Sequence, residues 1–79
     1  MIIRTLEVGA LRTNCYLVVA EPSRQAVVID PGGNADVILA ALRELEATVR
    51  LIPLTHFHFD HIMAAPEVRR ATGAPLAIH

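Results

Sequence analysis

Apolar residues fill several short runs of the chain at consecutive positions and do not alternate with polar ones. Such runs occur at residues 16–19, 26–29 and 51–54. A continuous apolar run is typical of a strand that is covered on both faces. Turn-forming residues follow at 21–23 and 31–33. Together these features predict five strands, at residues 2–8, 14–20, 25–30, 49–54 and 75–78.

Between the strands, two segments show helical spacing. The first helix opens after Asn34, a favoured N-cap residue, and the second has Pro66 in its first turn and ends at Gly73. The apolar stripe of the first helix consists of Val37, Ile38, Ala41, Leu42 and Leu45. Both helices follow strands by short connections, so we expect an α/β fold in which they pack on one face of a mixed sheet. The opposite face is then left bare.

The composition of the chain also suggests that the second face of the sheet is covered. The chain has 79 residues, of which 53% are hydrophobic, whereas a single domain of this size buries only about 60–65% of the surface that its unfolded chain exposes. We therefore expect a further layer to cover the second face.

The remaining global features exclude several classes of protein. A net charge of −1 gives no basic surface for nucleic acid, and no apolar run approaches transmembrane length. The N-terminus lacks the pattern of a signal peptide. Cys15 is the only cysteine, which excludes an internal disulfide and favours a buried thiol and a cytoplasmic location.

The segment 56–61 concentrates metal-binding side chains. His56, His58, Asp60 and His61 lie within six residues, and imidazole and carboxylate are the ligands that zinc and similar divalent ions prefer. If the strand before them continues in extended form, His56 and His58 point to the same side. A tight turn would bring Asp60 and His61 back to the same place, which makes a second metal plausible. The alternative is a structural domain without metal, which would have to crowd these polar groups together at a cost of about 1–3 kcal/mol for each that stays unpaired.

Three sequence segments carry a family resemblance. Residues 55–61 (THFHFDH) resemble the signature of the metallo-β-lactamase superfamily. Residues 13–18 (TNCYLV) and 27–33 (VVIDPGG) resemble its glyoxalase II-like, or hydroxyacylglutathione hydrolase-like, branch. The resemblance implies an αββα sandwich, of which this chain would form the N-terminal half. It also implies that His56 and His58 bind the first metal, that Asp60 and His61 bind the second, and that Asp30 supports the site without being a ligand.

The chain departs from the family pattern in two respects. Family members supply another histidine, a bridging aspartate and a further histidine from later segments, whereas this sequence stops at His79, which matches no ligand position. Met63 and Ala64 stand where the family often has two glycines, a change that narrows or fills the pocket floor. We therefore interpret residues 1–79 as a single partial domain, truncated after the metal-binding motif.

The function implied by the resemblance is hydrolysis of an ester or thioester by a metal-bound hydroxide, with Asp60 also orienting the attacking water. The cofactor would be zinc, two ions in the complete enzyme, or else iron or manganese. The substrate would be a small molecule, with a glutathione thioester as the leading choice. Two alternatives remain open: an iron-dependent persulfide dioxygenase, and a non-catalytic metal-binding half-domain that self-associates or assembles with a complementing chain. For the isolated polypeptide we expect weak metal binding and little turnover, because each ion would have only two protein ligands.

Overall fold

The computed structural model describes residues 1–10, 12–55 and 63–78. Within these residues the chain forms a mixed sheet with two helices, as the sequence predicts. The elements in chain order are β1 (Ile2–Val8), β2 (Thr13–Val19), β3 (Gln25–Ile29), α1 (Ala35–Glu44), β4 (Thr48–Leu54), α2 (Ala65–Thr72) and β5 (Leu76–Ile78).

The strand order of the sheet follows the chain order, β1-β2-β3-β4-β5. The first three strands pair antiparallel, and the pairs β3–β4 and β4–β5 are parallel. As a result, β1, β3, β4 and β5 all end at the same edge of the sheet. We call this the C-terminal edge; its described connections are Gly9–Ala10, Arg12, Asp30–Asn34 and Thr55. In α/β sheets, ligands bind outside the carboxyl ends of the strands.

One face of the sheet, the inner face, packs against both helices. Leu17 and Ile52 from the sheet and Ile38 and Val68 from the helices are fully buried in one cluster. Burial of each such side chain contributes about 1.5–3 kcal/mol. The prediction that both helices cover the same face is therefore confirmed.

The other face, the outer face, carries a row of apolar side chains. The strand register aligns Ile3, Val18, Val27 and Leu51 across four strands. Ile3 is 66% exposed and the other three are only partly buried. None of the described residues covers this face. Because the outer face is apolar as well as the inner face, the strands are apolar at consecutive positions.

Two details of α1 differ from the expectations. Val37 is 45% exposed, although the apolar stripe was expected to include it. A helix turns by about 100° per residue, so Val37 lies about 100° from the buried Ile38, outside the buried arc. Asn34 takes the N-cap position, but its side chain makes no capping hydrogen bond. Its Oδ1 instead accepts a hydrogen bond from the N–H of Gly9, at 2.7 Å.

Gly33 lies against Gly9 with no room for a side chain. A Cβ atom at Gly33 would come within 2.6 Å of the Gly9 Cα. We expect Gly33→Ala to lower the free energy of unfolding by about 2–3 kcal/mol, the upper part of the range for overpacking, because the backbone must move. Gly73→Ala is the matched control: Gly73 has a φ of 74°, but a Cβ there would meet nothing within 4 Å. The loss of unfolding free energy in Gly73→Ala should stay near roughly 1 kcal/mol, which is what the left-handed conformation costs a residue with a side chain. Urea denaturation of both variants tests this, and equal losses would contradict the contact.

Neither helix in the described part of the chain has the length and hydrophobicity needed to cross a membrane.

Candidate functional site

The four predicted metal ligands, His56, His58, Asp60 and His61, lie outside the described residues, as does His79. Within residues 1–10, 12–55 and 63–78, no group of three or more histidine, cysteine or acidic side chains is placed to hold a metal. The ligand assignment therefore stays a prediction. The structure does describe both flanks of the segment 56–62 and the residues that hold them.

Asp30 comes directly after β3, at the C-terminal edge. Its backbone has a φ of 56°, a left-handed conformation that aspartate tolerates better than most residues. Its N–H donates to the carbonyl oxygen of Pro53 in β4, at 3.1 Å. The residue is only 4% exposed. A buried carboxylate thus lies beside the end of β4, where the metal-binding motif begins.

That carboxylate receives two hydrogen bonds from Thr55, the first residue of the motif. The Thr55 N–H donates to Asp30 Oδ1 at 2.7 Å, and the Thr55 hydroxyl donates to Oδ2. Hydrogen bonds to a charged acceptor contribute about 1.5–3 kcal/mol each. Asp30 therefore fixes both the backbone and the side chain of the residue that precedes His56. This agrees with the supporting role that the resemblance implies for it.

The residue after Asp30 holds the other flank. The N–H of Ala64 donates to the carbonyl oxygen of Pro31 at 2.9 Å, and α2 begins at the next residue. Ala64 is buried, whereas Met63 is 65% exposed. Both flanks of the segment 56–62 are thus attached to the adjacent residues Asp30 and Pro31. The described residues on either side of this segment therefore lie together at the C-terminal edge.

Cys15 of β2 lies on the inner face of the sheet and is fully buried, as predicted. Burial and, to a smaller extent, the negative charge of Asp30 together raise the pKa of its thiol to about 12. Because only the thiolate is a strong nucleophile or metal ligand, Cys15 serves as a packing residue.

The donor set fits a divalent metal. Three imidazoles and a carboxylate within six residues match the ligand chemistry of zinc, and the hydrogen bonds of Thr55 and Ala64 hold the flanking residues at the edge where α/β proteins bind ligands. A cleft of about 420 Å³ lies instead toward the opposite edge. Its lining, which includes Arg43, Glu46 and Thr72, offers no comparable set of metal ligands.

Sequence reasoning missed three contacts near the site: the hydrogen bonds from Thr55 to Asp30, the hydrogen bond from Gly9 to Asn34, and the packing of Gly33 against Gly9. The bonds from Thr55 to Asp30 and from Gly9 to Asn34 each join residues 25 positions apart. The available signal was compositional: an Asp-Pro-Gly-Gly-Asn turn after a buried strand holds groups suited to anchoring other loops.

Curated relatives match nearly the whole chain. A probable metallo-hydrolase of Bacillus subtilis, YqgX, is 37% identical over 76 residues, and the hydroxyacylglutathione hydrolase GloC of Haemophilus influenzae is 33% identical over 76 residues. Each alignment covers 96% of this chain and 35% of the relative. The chain thus spans about a third of the length of these relatives.

Solved structures share the fold. The B3 metallo-beta-lactamase BLEG-1 superimposes with a TM-score of 0.90 at 35% identity, covering 95% of this chain and 35% of that protein. ETHE1 from Myxococcus xanthus gives a TM-score of 0.85 at 39% identity, covering 96% and 34%. The di-iron-bound form of TTHA1623 gives 0.78 at 34% identity, covering 96% and 36%. The Metallo-beta-lactamase superfamily profile matches residues 8–79, and the chain therefore belongs to the metallo-beta-lactamase superfamily.

Proposed function

We propose that this protein is a metal-dependent hydrolase of ester or thioester substrates, with its site at the C-terminal edge. The observation that carries the proposal is the attachment of both flanks of the segment 56–62 to Asp30 and Pro31. That attachment supports convergence of the motif side chains at one point. Relatives that share this sequence include metallo-hydrolases.

In this proposal His56 and His58 hold the first ion, and Asp60 and His61 hold the second. The ions are zinc, with iron and manganese as alternatives that the same ligands accept. When bound, they activate water near neutral pH and stabilise the negative charge that develops on the carbonyl oxygen. Asp60 orients the attacking water by accepting its hydrogen bond. Asp30 acts through Thr55, whose position sets where the backbone leading to His56 begins.

The proposed substrate is a small acyl thioester, and a glutathione thioester is the leading choice. This choice is supported by the similarity to GloC, a hydroxyacylglutathione hydrolase. We also propose a cytoplasmic location, which agrees with a single, buried cysteine.

We further propose that residues 1–79 form part of a larger domain. The apolar row on the outer face supports this, because Ile3, Val18, Val27 and Leu51 are the kind of side chains that a second sheet would bury. The polypeptide 1–79 alone should then self-associate in sedimentation experiments, and Val18→Lys with Val27→Lys should reduce the association. A stable monomer that holds two zinc ions tightly and turns over thioester would contradict the proposal.

A second candidate function is an iron-dependent persulfide dioxygenase. The similarity to TTHA1623 in its di-iron-bound form supports iron as a metal that this fold accepts. A third is a non-catalytic metal-binding half-domain that works through a complementing chain, which the uncovered outer face supports.

The experiment that separates these functions combines metal analysis with two assays on the full-length protein that carries this chain. A hydrolase is expected to release free thiol from a glutathione thioester without consuming oxygen. Oxygen consumption with a glutathione persulfide, together with one iron per chain, would instead establish the dioxygenase. Bound metal with neither activity would support the non-catalytic module.

A further inference from the structure

The loop between β1 and β2 is fixed to the turn that holds the metal-binding motif. The Gly9 N–H donates to Asn34 Oδ1 at 2.7 Å, and Gly33 packs against Gly9 so closely that no Cβ fits between them. Asn34 and Gly33 belong to the same turn as Asp30, which binds Thr55. Gly9, where the β1–β2 loop begins, is therefore attached to the C-terminal edge.

Arg12 is held in this loop by its backbone. Its N–H donates to the carbonyl oxygen of Gly9 at 3.2 Å, and the hydroxyl of Thr13 donates to the carbonyl oxygen of Val8 at 3.3 Å. Arg12 has a φ of 54°, a conformation that costs a non-glycine residue roughly 1–2 kcal/mol. Its side chain is exposed and makes no hydrogen bond or ion pair with the described residues. Backbone hydrogen bonds thus place the exposed Arg12 guanidinium at the C-terminal edge, where it pairs with none of the described residues.

The other arginines of the described residues lie elsewhere. Arg4 pairs with Glu44 at 3.5 Å, and Arg24 donates to the carbonyl oxygen of Leu45 at 3.0 Å. The rest lie in the last turns of the two helices or near the start of β4, toward the opposite edge: Arg43, Arg50, Arg69 and Arg70. Among the connections that the structure describes at the C-terminal edge, Arg12 is therefore the one arginine.

Two exposed acidic side chains lie near that edge. Glu7 is the last residue but one of β1, and Asp36 lies in the first turn of α1, both exposed. These charges repel an anion approaching the edge. A carboxylate-bearing substrate would be attracted most strongly where the Arg12 guanidinium offsets them, since guanidinium binds carboxylate through two parallel hydrogen bonds.

We propose that Arg12 is a specificity-determining residue that recognises a carboxylate on the thiol portion of the substrate, remote from the reacting carbonyl. This inference rests on the proposed thioester hydrolysis for its catalytic context. It makes the site selective for acyl thioesters of anionic thiols over those of neutral thiols.

The test compares two thioesters of the same acyl group on the full-length, metal-loaded protein. One has glutathione, which bears carboxylates, as the leaving thiol, and the other has the uncharged N-acetylcysteamine. We expect Arg12→Gln to raise KM for the glutathione thioester about two- to fivefold, the upper part of the range for an exposed ion pair. The value of kcat and the KM for the neutral thioester should not change. Arg12→Lys keeps the charge but loses the two parallel hydrogen bonds, so it should raise the KM for the glutathione thioester by less than Arg12→Gln does. Added salt should reduce the difference between Arg12→Gln and the wild type.

Arg50→Gln is the matched control, because it removes the same charge from the opposite edge. It should leave both KM values unchanged. A KM that rises equally for both thioesters in Arg12→Gln would overturn the proposal, because that result indicates a structural role for the loop.

A binding measurement separates this inference from the proposed hydrolysis. S-methylglutathione carries the same carboxylates but no thioester, so calorimetry reports its binding without turnover. Weaker binding by Arg12→Gln supports carboxylate recognition even if the wild-type protein hydrolyses no thioester, a result that would reject only the proposed function. Equal affinities, or no binding by the wild type, would overturn the role of Arg12.

Discussion

Replacing His56 or His58 with alanine is expected to remove the metal from the first site and to lower kcat/KM for a thioester by about a thousandfold or more. The physical reason is that a bound ion contributes several kcal/mol to stabilisation of the transition state, and each 1.36 kcal/mol is a factor of about ten in rate. Metal content after dialysis and steady-state kinetics measure the two effects in the same preparations.

The chain supplies its own control for this experiment. His79 is the fourth histidine and matches no ligand position in the family pattern, so His79→Ala should retain both metal and activity. If the double variant with alanine at His56 and His58 keeps its full metal content, the motif is not the metal site. In that case the alternative of a structural domain without metal gains support.

Replacing Asp30 is expected to give the second largest effect, because its carboxylate holds Thr55 by two hydrogen bonds. Asp30→Asn replaces one acceptor oxygen by a donor, which leaves a Thr55 donor without a good partner at a cost of about 1–3 kcal/mol. We expect a comparable loss in the free energy of unfolding and a metal affinity weaker by about ten- to a hundredfold, the range for partners that orient metal ligands.

Substitutions at Thr55 test whether Asp30 influences metal affinity through its hydrogen bonds with Thr55. Thr55→Ser keeps both donors and should bind metal like the wild type, whereas Thr55→Val loses only the hydroxyl and should show an intermediate loss. Asp36→Asn is the control, because it removes an exposed carboxylate in the first turn of α1. It should leave the metal affinity unchanged and the free energy of unfolding nearly so. Metal affinity is measured by competition with a chelator in conditions where circular dichroism shows each variant folded. An unchanged affinity in Asp30→Asn would refute the positioning role.

Much of the fold was predictable because local signals agree with one another. The five strands differ from their predicted bounds by at most one residue, since apolar runs and turn residues mark both ends. The position of α2 followed from Pro66 and Gly73, and Gly73 takes the left-handed C-cap as expected. The apolar excess was also informative, because the outer face does carry an uncovered row of apolar side chains.

Two of the misses depend on tertiary contacts, and the third on the geometry of the helix. Asn34 was expected to cap α1, but its side chain bonds to Gly9, and nothing local to either residue specifies that partner. The anchoring of Thr55 by Asp30 likewise depends on how β3 and β4 pair. Val37 was placed in the buried stripe for its apolar character alone, although its angle on the helix lies outside the arc that faces the sheet. Local sequence thus predicts candidate ligands, whereas the contacts that hold the residues beside them are tertiary.

The proposed function requires the segment after β4 to bind divalent metal at the C-terminal edge. Anomalous diffraction from crystals of the metal-loaded protein, recorded at the absorption edge of the bound metal, locates the ions. We expect two peaks about 3.5–4 Å apart, one about 2.0–2.1 Å from imidazole nitrogens of His56 and His58 and the other bound by Asp60 and His61. No anomalous peak at these residues, or four side chains that point away from one another, would rule out this metal site.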